Sequence, residues 1–193
     1  MSNIVDPLIA QLAARVRSER EQRQWTLAQV AEASGVSRAM INRIERAESS
    51  PTAVVLGKLA GAFQVPVSSL LTPGESTDAE AGEVHRMADA TEWHDPATGY
   101  RRRQITGPTF PADIAEIHLP PGARVPYPAA SLAFQRVAVW VLDGRLTFEE
   151  GDVVHELGPG DTIEVDEPVP HVYTNTSDAE CRYAIILTRV GKP

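Results

Sequence analysis

The spacing of apolar residues changes once along this chain, and the change divides it into two parts. Before "TPGESTDAEAG" (residues 72–82), apolar residues such as Leu8, Leu12 and Val16 recur at helical spacing. After it, they alternate with polar residues between Gly and Pro turns, which is typical of short antiparallel strands. The segment itself has the composition of a linker. We therefore predict an α+β protein of two domains, with a helical domain over residues 1–71, a linker over 72–83 and an all-β domain over 84–193.

Charge follows the same division. Up to Pro73 there are eight Lys and Arg against six Asp and Glu, a formal charge of about +2, and the remainder has ten against twenty, about −10. The first part can therefore approach an anionic partner. The acidic second part is expected to keep non-specific binding to nucleic acid weak.

Composition also limits the compartment. The single cysteine, Cys181, excludes an internal disulfide and any cysteine-rich zinc site, so a cytoplasmic location is expected. The longest apolar runs, such as residues 137–142, are far shorter than the roughly 20 residues that cross a bilayer. No membrane partner is expected.

Capping residues divide the first part into five helices. Thr26 and Gln29 have the capping-box pattern at the start of the second helix, and Gly35 suits the left-handed turn that ends it. Ser37 is a cap for the third helix. Pro51 suits the first turn of the fourth, and a short fifth, "VSSLL", follows.

Ala31, Gly35 and Ile41 have the spacing that lets two helices cross closely around a short turn. The run "WTLAQVAEASGVSRAMINRIERAESSPTAVVLGKLAGAF" resembles the DNA-binding domain of XRE-type, lambda-repressor-like regulators, over about residues 7–71. The resemblance implies a five-helix helix-turn-helix bundle that binds a double-stranded DNA operator. It also implies a structural role for the glutamate of "IER", Glu45.

The third helix of such a domain lies in the major groove. If Ile41 and Ile44 are buried, the opposite side of the helix faces the DNA. Arginine can bind guanine with two hydrogen bonds, and alanine can contact a thymine methyl, whereas phosphate contacts fix register only. We predict Arg38, Arg43 and Ala39 as base-contacting residues and Gln29, Ser37 and Asn42 as phosphate-contacting residues. A role for Gln29 as a capping-box partner alone is equally compatible with the sequence.

The segments "LPPGA", "VWVLDGRLTF", "LGPGDTIEV" and "PHVYTN" occur in the second part in that order. Together they resemble the cupin barrel, a double-stranded β-helix, over roughly residues 85–190. Within it, "VLDGRLTF" predicts a β-hairpin, and Arg101–Arg103 are predicted to lie on a solvated edge strand. A helix-turn-helix domain joined to a cupin domain is the layout of a large group of bacterial regulators.

The resemblance also raises the question of a metal. Metal-binding cupins carry two histidines and a glutamate in the first motif and a further histidine in the second. Here Val137 falls at the glutamate position, residues 127–130 are Tyr, Pro, Ala and Ala, and His171 is the one histidine retained. We therefore predict that the protein holds no metal and no cofactor.

Strand alternation instead predicts an apolar pocket for a small-molecule effector. It places every second residue from Gln135 on one face, which points inward if Val137 occupies the ligand position, and leaves Trp140 outside. The predicted effector-binding residues are Tyr127, Gln135, Val137, Val139, His171 and Tyr173. For His171, hydrogen bonds within the loops around Asn175 are an equally open role.

Two classes of function follow. In the first, which the missing metal ligands favour, a non-enzymatic homodimer binds a pseudo-palindromic operator through its two DNA-binding domains. An effector in the barrel changes the spacing or the freedom of those two domains. In the second, the barrel is a metal-dependent enzyme fused to a helix-turn-helix head. A third possibility is a DNA-binding protein whose barrel only dimerises.

Overall fold

The computed structural model describes residues 6–71, 84, 86–87, 90, 92–107, 110–165 and 167–189. The predicted linker, residues 72–83, lies outside them. The first part consists of five helices, which together with the β-rich second part confirms the predicted α+β fold class. The helices are α1 (Pro7–Gln22), α2 (Leu27–Ser34), α3 (Arg38–Glu45), α4 (Ala53–Phe63) and α5 (Val67–Leu71).

Local capping determines where α2 and α3 begin and end. The N–H of Thr26 donates to Oε1 of Gln29 at 2.8 Å and the N–H of Gln29 donates to Oγ1 of Thr26 at 3.3 Å, which completes the capping box. Gly35 follows α2 in the left-handed conformation, with φ of +66°. Oγ of Ser37 then accepts the N–H of Met40 at 3.2 Å. These caps set the short turn between α2 and α3.

An ion pair joins α1 to the end of α3. Nε of Arg20 lies 2.7 Å from Oε1 of Glu45, and Nη2 of Arg20 lies 2.8 Å from Oε2. The guanidinium therefore binds the carboxylate through two parallel hydrogen bonds, which raise the pKa of Arg20. Arg17 adds a bond from its Nη2 to the backbone oxygen of Glu45 at 2.8 Å. Glu45 thus has the structural role expected of it.

The second part consists of two antiparallel sheets, with strand orders β1-β2-β3-β10-β5-β8 and β4-β9-β6-β7. Along β5 buried and exposed residues alternate as predicted, so that Val137 and Val139 face the core and Trp140 faces outward. The strands are β1 (Glu92–His94), β2 (Arg101–Gln104), β3 (Ala112–Leu119), β4 (Arg124–Tyr127), β5 (Gln135–Asp143), β6 (Leu146–Glu150), β7 (Val153–Leu157), β8 (Thr162–Val165), β9 (His171–Thr174) and β10 (Cys181–Arg189).

The predicted β-hairpin at "VLDGRLTF" is wrong. β5 pairs with β10 and β8, whereas β6 pairs with β9 and β7, so the chain passes from one sheet to the other at Gly144. Gly144 has φ of +78°, and a Cβ there would lie 2.7 Å from the backbone oxygen of Glu180. An Asp-Gly pair indicates a tight turn, but it does not determine which strand each arm will pair with.

The predicted solvated edge strand at Arg101–Arg103 is also wrong. β2 lies between β1 and β3 rather than at an edge. Arg101 binds Glu180 and Arg103 binds Glu116 on one face of the sheet. Because successive side chains of a strand point to opposite faces, Arg102 points into the barrel, where it is 4% exposed.

The two domains are in contact. α4 packs on β4 and on the 3₁₀ turn Ala129–Ser131. A Cβ at Gly57 would overlap the ring of Tyr127, so the glycine lets the ring lie against the helix. On α5, the hydroxyl of Ser68 donates to Oδ2 of Asp113 in β3.

Candidate DNA-binding surface and barrel cavity

The outer side of α3 brings together five of the six predicted DNA-binding residues. Ile41 and Ile44 are fully buried against the core of the helical domain, which leaves the opposite side of the helix to solvent. Among the described residues, neither the guanidinium of Arg38 nor that of Arg43 has an ion-pair partner. The exposed residues of this surface are Ser37, Arg38, Ala39, Asn42 and Arg43.

Gln29, the sixth predicted residue, lies at the start of α2. Its side chain is exposed, but its Oε1 already accepts hydrogen bonds from the N–H and the hydroxyl of Thr26. Gln29 therefore has the capping role that the sequence left open. Its contact with a phosphate stays a prediction.

A cavity of about 40 Å³ lies inside the barrel. Five of the six predicted effector-binding residues line it, and Val139 does not, because it is buried deeper on the same face of β5. Val67 of α5 also lines the cavity, so the helical domain forms part of its wall. The lining residues are Val67, Arg102, Tyr127, Ser131, Leu132, Gln135, Val137, His171, Tyr173, Ile185 and Leu187.

Aromatic packing places His171 in this cavity. The Tyr127 ring stacks on the imidazole at a centroid distance of 5.5 Å, which follows from the pairing of β4 with β9. Sequence reasoning assigned no strand to β4. Its Pro126 is tolerated because β4 is an edge strand, where a missing N–H need not break the ladder. Asn175, by contrast, has a structural role, since its Nδ2 donates to the backbone oxygens of Leu119 and Ala179.

Burial lowers the pKa of His171 to about 4, although the carbonyl of Val169 acts in the opposite direction. The imidazole is therefore neutral at neutral pH. Between pH 6.5 and 4, His171 binds a proton in the unfolded chain but not in the folded chain. The free energy of unfolding must therefore fall as the pH falls through this range.

We expect His171 to contribute a loss of about 1.4 kcal/mol in the free energy of unfolding for each pH unit within that range. Urea unfolding at pH 6.5, 5.5 and 4.5 would measure the slope of the free energy of unfolding against pH. The difference in that slope between the wild type and His171→Phe gives the contribution of His171. His94→Phe is the matched control, because His94 is exposed. Identical pH slopes for the wild type and His171→Phe would contradict the expectation.

The donor set does not fit the metal site of metal-binding cupins. Val137 lies in the cavity beside His171, where the family places a carboxylate ligand. Within the described ranges, no three His, Cys, Asp or Glu side chains are grouped so that they could hold a metal ion. One imidazole without a carboxylate is not a metal site.

Sequence reasoning missed Arg102 as a cavity residue. A charged triplet suggested solvated arginines, because an isolated arginine is rarely buried without a partner. The usable signal was alternation: if Arg101 and Arg103 face outward, Arg102 must face the opposite way. Alternation alone did not show that both faces of β2 are covered.

No helix in the described part of the chain is long and apolar enough to cross a membrane.

Comparison with known proteins supports the division into two domains of different kind. A helix-turn-helix family model matches residues 16–70, and a cupin domain family model matches residues 115–187. The HTH-type transcriptional regulator SutR of Escherichia coli (strain K12) is 46% identical over 77 residues, a match that spans 40% of this chain and 43% of that protein.

The fold is also found in a solved structure. The crystal structure of an HTH_3 family transcriptional regulator from Vibrio cholerae aligns with a TM-score of 0.76 and 22% identity, over 95% of this chain and 98% of that one. Hydroxypropylphosphonic acid epoxidase from S. wedmorenis aligns with a TM-score of 0.45 and 17% identity, over 93% of this chain and 97% of that one. That second likeness is too low to bear on the chemistry of the barrel. The chain thus joins a helix-turn-helix domain of the XRE type to a C-terminal cupin domain, and over 40% of its length it is similar to the regulator SutR.

Proposed function

We propose that this protein is a sequence-specific DNA-binding transcriptional regulator whose cupin barrel binds a small-molecule effector without a metal. The observation that carries the proposal is the outer side of α3. Two arginines, an asparagine and an alanine are exposed there, while the isoleucines on the other side of the helix fix it to the domain core. A helix presented in this way can enter the major groove.

The side chains divide by chemistry. Arg38 and Arg43 are proposed to contact guanine edges and Ala39 a thymine methyl. Gln29, Ser37 and Asn42 are proposed to hold phosphates, which positions the helix without reading sequence. The hydroxyl of Ser37 accepts a backbone N–H as a helix cap and still has its own proton to donate to a phosphate oxygen.

Control by an effector is supported by the contact between the domains. The cavity wall includes Val67 of α5, and Tyr127 separates the cavity from Gly57 of α4. A ligand that moves either wall residue acts directly on the DNA-binding domain. Such control requires that the ligand bind differently to two arrangements of the protein.

We further propose a homodimer that binds a pseudo-palindromic operator in the cytoplasm, where the free thiol of the buried Cys181 would stay reduced. Trp140 lies on the outward face of β5 and is 47% exposed, which suits a surface that a second subunit covers. No reaction is assigned to the barrel.

Selection of genomic DNA fragments from the source organism tests the proposal. At one fixed salt concentration, the wild type is expected to enrich fragments that contain one palindromic site. The variant Arg38→Ala/Arg43→Ala is expected not to enrich them. Arg46→Ala is the control, because Arg46 already pairs with Glu48 at 2.9 Å and should keep the selection. Failure of the wild type to enrich any site, with or without cell extract metabolites, would overturn the proposal.

A further inference from the structure

We propose that the barrel cavity binds a small organic anion, with the guanidinium of Arg102 as its counter-ion. The inference deepens the effector-binding role proposed above and rests on it. Arg102 lines the cavity and is 4% exposed, so its charge lies inside the barrel rather than in solvent. Burying a charge whose hydrogen bonds are incomplete costs free energy, and an anion in the cavity would offset that cost.

The guanidinium is incompletely paired within the described part of the chain. Neither Nε nor Nη2 of Arg102 has a hydrogen-bond partner. Its nearest carboxylate oxygen, Oδ2 of Asp113, is 3.8 Å from Nη2, which is beyond hydrogen-bond distance. That carboxylate is already engaged, because it accepts hydrogen bonds from Ser68 and from Gln104. Two nitrogens of Arg102, Nε and Nη2, therefore keep N–H groups for another anion.

The guanidinium also keeps its charge. Burial acts to lower the pKa of Arg102, but Tyr100 and Asp113 beside it outweigh burial, and the pKa is raised. His171 in the same cavity is neutral at neutral pH. Arg102 is thus the cation of the cavity, and it has the planar fork that binds a carboxylate with two bonds.

Other groups would orient the ligand. Burial raises the pKa of Tyr127 well above its usual value, so its phenol stays protonated and can donate. Oε1 of Gln135 is buried without a partner, whereas Nε2 of Gln135 donates to the backbone oxygen of Ser131 at 2.6 Å. This free acceptor suits a hydroxyl or amine on the ligand. The remaining wall, including Val137, Ile185 and Leu187, is apolar.

The size of the cavity restricts the ligand further. A volume of about 40 Å³ holds roughly three water molecules, which is enough for an acidic head group but not for an organic chain. A larger ligand would press on Tyr127, which touches the helical domain, and on Val67, which belongs to it. The proposed effector is therefore a small acid, and one that exceeds the cavity would act on the contact between the domains.

Thermal unfolding of the full chain with acids and their neutral amides tests the proposal: acetate against acetamide, propionate against propionamide, lactate against lactamide, and succinate against succinamide. At least one acid is expected to raise Tm by several degrees, while its amide leaves Tm unchanged. Arg102→Met should lower the affinity for that acid by about 10- to 100-fold. Arg101→Met is the matched control, because Arg101 pairs with Glu180 outside the barrel.

A second measurement needs no ligand. Without added acid, Arg102→Met is expected to unfold close to the wild-type temperature, since Asp113 lies 3.8 Å from Nη2 and keeps its hydrogen bonds from Ser68 and Gln104 when the guanidinium is removed. A clear fall in Tm for this variant would overturn the proposal, as would equal effects of acids and amides, or no effect of any acid. If the wild-type protein selects its operator but binds none of the acids, the anion site alone is refuted. Acid binding without DNA selection refutes the regulator alone.

Discussion

Replacing Glu45 with alanine is expected to lower the free energy of unfolding by about 1.5–3 kcal/mol, because it removes the two parallel charged hydrogen bonds of Arg20. The guanidinium then keeps only the 3.5 Å ion pair to Glu21 and its bond to the carbonyl of Trp25. The carboxylate is 5% exposed and accepts both parallel bonds of the guanidinium. Urea unfolding followed by circular dichroism would measure the loss. The affected contact joins α1 to α3, so the loss should appear as unfolding of the helical domain.

Glu48→Ala provides the matched control. Glu48 pairs with Arg46 at a similar distance, 2.9 Å, but both side chains are exposed. An exposed pair contributes about 0–1 kcal/mol, so this variant should be nearly as stable as the wild type. Equal losses for the two variants would show that burial is not what gives the Arg20–Glu45 pair its strength.

Arg38→Ala/Arg43→Ala is expected to weaken binding to the selected operator by about 2–6 kcal/mol, since each bidentate contact to guanine contributes about 1–3 kcal/mol of discrimination. Binding to random DNA should fall much less, because it depends on phosphate contacts. Fluorescence anisotropy on both kinds of DNA at one salt concentration would measure the ratio of affinities.

Gln29 supplies the contrasting case. Gln29→Glu keeps an oxygen that can accept the N–H of Thr26, so the capping box survives, but it places a negative charge where a phosphate is proposed to lie. Binding should weaken by a similar factor on the operator and on random DNA. If this variant and the arginine double variant change the affinity ratio equally, the division into base and phosphate contacts is wrong.

The helical domain was the more predictable part of the fold because its signals are local. Thr26, Gln29, Gly35 and Ser37 each act within four residues of the chain, and the structure shows the caps that the sequence indicated. The surface of α3 follows from the same logic. Once Ile41 and Ile44 are assigned to the core, helical periodicity fixes which side chains face outward.

The barrel was less predictable because its pairings join distant residues. Nothing near Gly144 shows that β5 will pair with β10 and β6 with β9. Alternation correctly placed Gln135 and Val137 inward. It did not show that β2 lies between β1 and β3, with Arg102 on the face that points into the barrel. Alternation of apolar and polar residues along a strand indicates its two faces. The tertiary structure determines whether one face or both are buried.

Asp113 connects the two domains through a single carboxylate. Oδ2 accepts the hydroxyl of Ser68 on α5 and lies 3.8 Å from Nη2 of Arg102, while Oδ1 accepts Nε2 of Gln104 at 2.5 Å. An acid bound to Arg102 brings a second negative charge close to the group that holds a helix of the DNA-binding domain. By thermodynamic linkage the effect is reciprocal. If the acid changes the affinity of the protein for its operator by some factor, the operator changes the affinity of the protein for the acid by the same factor. The concentration of acid that fills the barrel would then differ between protein bound to its operator and protein free in solution.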